Sequence, residues 1–217
     1  MTWLLTCEGR EHHLAGPDAH NRNNVPTLGE ISHSLAQINR FCGHCKRPYS
    51  VAEHSLLVAD IAASMGAKPE VQLAALMHDA HECITGDVST PIKQILGRNW
   101  EIFEGWQANV LAEHYELTLT YQDHGQLIKL CDLTALATER RDLLPWRAHQ
   151  HEPWPILDTF DRVIEPWPVS LDAQERTDMI WLDWADEFEA RALRLVAQVY
   201  AVPVPVWVHH YSAREVL

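Results

Sequence analysis

No stretch of the 217-residue sequence approaches the ~18–20 consecutive apolar residues of a membrane-spanning helix, so no membrane partner is expected. Met1 to Arg10 lacks a basic start followed by a long apolar run, so no secretory leader is expected either. The protein is read as cytoplasmic. Internal repeats and low-complexity tracts are also missing. Positive charge is scarce: 17 Lys and Arg face 30 Asp and Glu, for a formal net charge of −13. Such a surface repels a phosphate backbone, which disfavours a nucleic-acid duplex as partner. It also repels free nucleotides, so a nucleotide site here needs local cations or a bound metal. Five cysteines at irregular spacing, an odd number, do not make a disulfide framework.

The apolar fraction of 47% is that of a globular chain, and the length suits one domain spanning 1–217. Strand-like alternation is weak everywhere except in the tail from Val202, so the expected fold is all-α with an extended tail. The first 26 residues are polar and read as loop. Thr27-Leu-Gly-Glu30 and Ser50-Val-Ala-Glu53 have the spacing of capping boxes. They predict one helix to about Arg40 and a second ending at Gly66. Pro69 suits the first turn of a third helix that fades near Ile84. Further helices are expected at about 99–117 and 122–143, and a long one starting at Ser170 or Asp172. Between them, Pro145, Pro153, Pro155, Pro166 and Pro168 exclude a regular helix, while Trp146, Trp154 and Trp167 supply apolar surface. This segment reads either as a lid or binding loop, or as a packed excursion.

The most informative segment is Leu76-Met-His78-Asp79-Ala-His81-Glu82. Neighbouring helical residues diverge by only about 100°, so His78 and Asp79 can reach one ion at a helix edge. Imidazole nitrogen with carboxylate oxygen suits a first-row divalent metal. Glu82, three residues after Asp79, faces the same way. His54 stands on an otherwise apolar helix, and Asp132 interrupts the apolar stretch Leu127–Leu136. Burying either alone is expensive, and a shared metal would satisfy all four. His81 reads as an accessory ligand, as a substrate contact or as a plain surface histidine, and Glu53 as the second half of its capping box.

The order His…His-Asp…Asp resembles the ligand signature of the HD phosphohydrolase superfamily. Tyr49-Ser-Val-Ala-Glu-His54-Ser and His78-Asp-Ala-His-Glu82-Cys-Ile-Thr-Gly-Asp87-Val-Ser-Thr-Pro91-Ile-Lys93 resemble bacterial 5′-deoxynucleotidases and phage-encoded dATP triphosphohydrolases. The likeness runs from about Thr27 to Leu143, a motif-bearing core of about 27–143. It implies an HD-domain helical bundle, with His54, His78, Asp79 and Asp132 as metal ligands. It implies that Glu82 and Asp87 handle water and protons. Arg40 with Phe41 resembles the Arg-Trp pair near the deoxynucleotide in that family, with Phe where the family has Trp. His44 could line the same site, and Lys93, with Arg40, could balance phosphate charge. The implied cofactor is a divalent ion (Co, Mn, Zn, Fe or Mg) and the implied partner a deoxynucleotide. Relatives of this kind form homo-oligomers, for which the apolar tail is a candidate interface; a phage-encoded member would work in the host cytoplasm.

Four functions compete at this point. The first is hydrolysis of deoxynucleotide phosphates, leaning to dNTP (with dATP one candidate) over dNMP. The others are a signalling-nucleotide phosphodiesterase, an inactive nucleotide-binding module, and an interaction protein holding zinc at Cys42 and Cys45. Cys42-Gly-His-Cys45 has no second Cys-x-x-Cys to complete a zinc site and no βαβ setting for redox chemistry. Glu82 and Asp87 argue against an inactive module.

Overall fold

The computed structural model describes residues 2–159 and 163–200. Two short strands, β1 (Trp3–Leu5) and β2 (Glu11–His13), pair antiparallel with Trp3 opposite His13. A 3-10 turn, Pro17–His20, follows. The N-terminal stretch is therefore a small hairpin and turn where loop was expected, and its pairing is too short to leave an alternation in the sequence.

Helices make up most of the rest: α1 (Leu28–Gln37), α2 (Val51–Ser64), α3 (Pro69–Leu76), α4 (Glu82–Thr85) and α5 (Thr90–Leu96). Then come α6 (Arg98–His114), α7 (Thr118–Asp142), α8 (Gln174–Thr177) and α9 (Trp181–Tyr200). The all-α reading holds. In α1 the capping box is complete: Glu30 N–H donates to Thr27 Oγ1 at 3.1 Å, and Thr27 N–H donates to Glu30 Oε2 at 2.9 Å. At the start of α2 only half is present, with Glu53 N–H donating to Ser50 Oγ at 3.1 Å. The Glu53 carboxylate instead accepts from Arg47 at 2.7 and 2.8 Å and from Arg176 at 2.8 Å. Glu53 is thus a buried charge tying the chain before α2 to α8, which corrects its reading as a cap. Gly66 ends α2 at φ 76°, a left-handed position that costs glycine nothing.

Helix α2 is the axis of the protein. Every residue from Val51 to Ala59 is buried, because α1, α3, α7 and α9 surround it. A helix covered on all sides sits at the core. Helix α9 is amphipathic and lays Trp184, Phe188, Ala192 and Leu195 across α1, α2 and α3. It starts ten residues or so later than expected from the Ser170 or Asp172 signal, because Asp183 Oδ2 caps the N–H of Ile180 at 2.9 Å. An isoleucine at that position gives no cap signal to read.

The Trp/Pro-rich segment is a packed excursion over its described part. Leu157 and Ile164 bury against Ala137 of α7, with Trp154 beside them. Arg140 pairs with Asp158 and places its guanidinium 4.2 Å from the Trp146 ring centroid. The tail read as extended, and as an interface candidate, lies outside the described residues.

Candidate metal centre

Three elements converge on one cluster. His54 stands in the first turn of α2 and is fully buried. Asp132 projects from the middle of α7. His78 and Asp79 lie in the link between α3 and α4, and not on the third helix as expected. There the backbone tightens to i→i+3 bonds, Ala80 N to Met77 O at 3.0 Å and Glu82 N to Asp79 O at 2.9 Å. The tight turns carry both side chains to one side. His54 Nε2 lies 3.3 Å from His78 Nε2, 3.4 Å from Asp132 Oδ1 and 3.5 Å from Asp79 Oδ2. His78 Nε2 lies 3.2 Å from Asp79 Oδ2 and 3.8 Å from Asp132 Oδ1. His54, His78 and Asp132 offer ligand atoms all within 4.8 Å of one another, and Asp79 joins through the two imidazoles.

The outer nitrogens fix which atoms face inward. His54 Nδ1–H donates to Glu139 Oε1 at 2.5 Å, and His78 Nδ1–H donates to the Ala75 carbonyl at 2.8 Å. Both acceptors lack a proton to give, so both Nδ1 atoms carry one. In the neutral rings each Nε2 then aims a lone pair at the other, with two carboxylate oxygens beside them. Four electron-rich atoms facing one point need a cation. Protons compete with a cation for that role. Burial pushes the His78 imidazole down, but Asp79 and Asp132 outweigh it and raise it to about 9. Burial and Arg40 push His54 down, yet Glu139, Asp132 and Asp79 hold it well above the usual imidazole range. Burial would raise Asp79 and Asp132, but the two histidines hold both well below the usual carboxylate range. The donor set of two imidazoles and two carboxylates therefore fits a divalent first-row ion. Asp79 and Asp132 keep 19% and 17% of their side chains exposed while His54 keeps none, so the cluster opens on the aspartate side.

Glu139 was missed in the sequence. It lies two helical turns from Asp132 on α7, hence on the same face. Besides His54 it accepts from Arg40 at 3.3 Å. A carboxylate behind a ligating histidine fixes the ring and raises its basicity. Burial raises the Glu139 carboxyl, but Arg40 and His54 outweigh it and hold it low.

Arg40 Nη1 also lies 3.6 Å from Asp79 Oδ2, so the arginine belongs to the cluster. Phe41 adjoins it, at φ 54°, with its ring centroid 6.4 Å from that of Trp154. Glu82 is 3% exposed, and its Oε2 has no hydrogen-bond partner among the described residues. Burial, Asp79 and Asp87 push its carboxyl well above the usual range against Arg40 and Lys93. Asp87 is raised chiefly by burial. Lys93 Nζ pairs with Glu104 Oε1 at 2.6 Å. His81 is buried rather than on the surface, with Nε2 3.6 Å from the same Glu104 oxygen. His44 is exposed. Lys46 and Arg47 turn away, to Asp172 at 3.2 Å and to Glu53. Cys42 is exposed and Cys45 half-buried. Among the described residues neither belongs to a group of three side chains able to hold a metal. A cavity of about 390 Å³ between α6 and α7 opens on His78, Asp79 and Asp132, and Arg40, Phe41, His44 and Lys93 are not among its walls.

Fold and site together define a helical protein with a buried two-histidine, two-aspartate cluster competent to bind a divalent metal. The HD domain family matches residues 51–191, well over half of the chain, and the chain belongs to that family. The HD superfamily is one of metal-dependent phosphohydrolases, and that is the class of this protein. The match reaches into the first half of α9 and begins after Arg40, Phe41 and His44. An uncharacterized protein of Escherichia coli, YfdR, is 32% identical over 158 residues, 73% of this chain and 80% of that protein. An uncharacterized protein of Rhodobacter capsulatus is 43% identical over 102 residues, covering 45% of this chain and 50% of that protein. No helix among the described residues is long and apolar enough to cross a membrane.

Proposed function

We propose that the chain hydrolyses the phosphate ester of a deoxynucleotide, with dNTP as the preferred form and dATP one candidate. The observation that carries this reading is the pairing of the His54–His78–Asp79–Asp132 cluster with a buried, proton-avid Glu82 beside it. A divalent ion held by those four side chains would supply Lewis-acid polarisation and an acidified water near neutral pH. Glu82 accepts the proton of the attacking water, a task suited to a carboxylate whose proton affinity is raised by burial and by Asp79. Asp87 delivers a proton to the leaving oxygen. Glu139 orients His54, and Arg40 balances Asp79 and Glu139 so that the ligand shell is not left with excess negative charge. Lys93 meets phosphate oxygens on exchange from Glu104.

One observation favours the dNMP 5′-nucleotidase reading instead. Arg40, Lys93 and Lys129 are already paired with Glu139, Glu104 and Asp132, which leaves little uncommitted positive charge for three phosphates. A panel of dNTPs and dNMPs with Mn²⁺, Co²⁺ or Mg²⁺, read by chromatography, separates the two. Release of triphosphate is expected. Turnover of dNMP alone would establish the 5′-nucleotidase, and turnover of no nucleotide would refute the nucleotide reading itself.

A further inference from the structure

We infer that the cavity between α6 and α7 receives the nucleoside of the substrate, an inference that rests on the nucleotide reading above. Three of the four proposed metal ligands, His78, Asp79 and Asp132, form part of its wall. A phosphorus held at the cluster therefore has this space within reach of its ester oxygen. Its volume of about 390 Å³ falls within the about 300–1,000 Å³ of small-molecule sites.

The chemistry of the wall suits a flat, largely apolar group. Tyr115 and Tyr121 line it, and their hydroxyls are committed elsewhere. Tyr115 donates to the Pro26 carbonyl at 2.7 Å and Tyr121 to the Ala74 carbonyl at 3.1 Å. Both rings are thereby fixed in place; Tyr115 is buried in the core, so the half-buried Tyr121 supplies the aromatic surface the cavity offers. Aromatic surface of this kind stacks on any base without hydrogen-bond readout. Lys129 adds an ammonium on the same lining, 2.7 Å from Asp132 Oδ2, on the side where phosphate would lie.

The space exists because the lining residues contributed by the two helices include small ones, Ala112 on α6 and Gly125 on α7. Gly125 is helical with no left-handed φ to justify it, and an added Cβ would meet nothing within 4 Å. Glycine inside a helix costs about 1 kcal/mol relative to alanine. Local structure thus gives no reason for glycine there, whereas a side chain at that position would enter the cavity.

Gly125→Leu fills the cavity, and leucine favours the helix, so the fold should tolerate it. Ala112→Leu fills it from the opposite helix and serves if the first variant does not fold. The measurements are metal content, KM for the best nucleotide, and inhibition by the matching free nucleoside and by inorganic phosphate. Full metal content, unchanged phosphate inhibition, and a rise of tenfold or more in both KM and nucleoside Ki are expected. Wild-type KM and nucleoside Ki in a folded, filled variant would overturn the assignment while leaving nucleotide hydrolysis intact. A wild type that turns over no nucleotide would instead remove the reading on which it rests.

Discussion

Glu139→Gln should weaken metal binding without touching any proposed ligand. The carboxylate is fully buried and accepts from His54 Nδ1 at 2.5 Å and from Arg40 at 3.3 Å. Glutamine keeps the shape and one acceptor oxygen, so the His54 ring can stay in place. It removes the negative charge that makes the imidazole a stronger donor and that balances Arg40. Loss of such a partner typically weakens metal affinity about 10–100-fold, or about 1.4–2.7 kcal/mol. The metal-free protein should also lose stability. Arg40 keeps Asp79 at 3.6 Å but loses its nearer partner. Stripping a buried charge of its partner costs about 3–5 kcal/mol, and because Asp79 remains, about 2 kcal/mol is the reasonable expectation. For a chain of this size that is a fall in Tm of about 4–8 °C. Chelator competition measures the affinity and thermal denaturation of the metal-free protein measures the stability. A variant with wild-type affinity and wild-type Tm would mean that Glu139 only fills space, and the account of how His54 is oriented would be wrong.

Glu82→Ala should keep its metal and lose about 10²–10⁴-fold in kcat, whereas Asp79→Ala should lose the metal; elemental analysis beside turnover distinguishes them, and normal turnover in Glu82→Ala would make that residue a spectator. Lys93→Ala should weaken binding of dNTP more than of dNMP, and equal losses in a competition assay would remove the reason for preferring the triphosphate. Metal affinity should rise with pH through about 9, because the ion must displace the protons that neighbouring carboxylates hold on His78 and His54. Chelator titrations from pH 6 to 9 that showed a flat affinity would contradict that protonation state. Glu30 provides an acid-stability test: burial pushes its carboxyl up, but bonds from Arg10, Thr6 and Thr27 hold it below the usual range. A depressed folded value means stability that is complete above the unfolded pKa of about 4.3 and lost as pH falls through the folded one. The Tm gap between wild type and Glu30→Gln should therefore shrink below about pH 4, and a gap constant down to pH 3 would refute it.

What could be read in the sequence was whatever depends on near neighbours. The caps at Thr27 and Ser50 and the Gly66 stop each act within a few residues: α1 and α2 begin at those caps and α2 ends at that glycine, whereas α1 stops at Gln37, short of the expected Arg40. His78-Asp79 stood out because charged and titratable residues follow an apolar run directly. The residues missed or misread are those whose surroundings come from far along the chain. Glu53 looks like the second half of a cap, and only the approach of Arg176, 123 residues away, makes it a buried ion pair. Glu139 sits in Glu-Arg-Arg-Asp, which reads as a solvated helix end. Its burial depends on α2 and on Arg40, 99 residues away. Arg40 shows the same limit in reverse. Resemblance assigns it to the deoxynucleotide, yet its guanidinium is largely buried between Asp79 and Glu139. A cation committed to two carboxylates inside the ligand shell has little attraction left for a phosphate. Its first effect on turnover is then expected through the charge of Asp79, and direct contact with substrate falls more naturally to ammonium groups at the rim, Lys93 and Lys129, whose side chains keep 30% and 57% exposure.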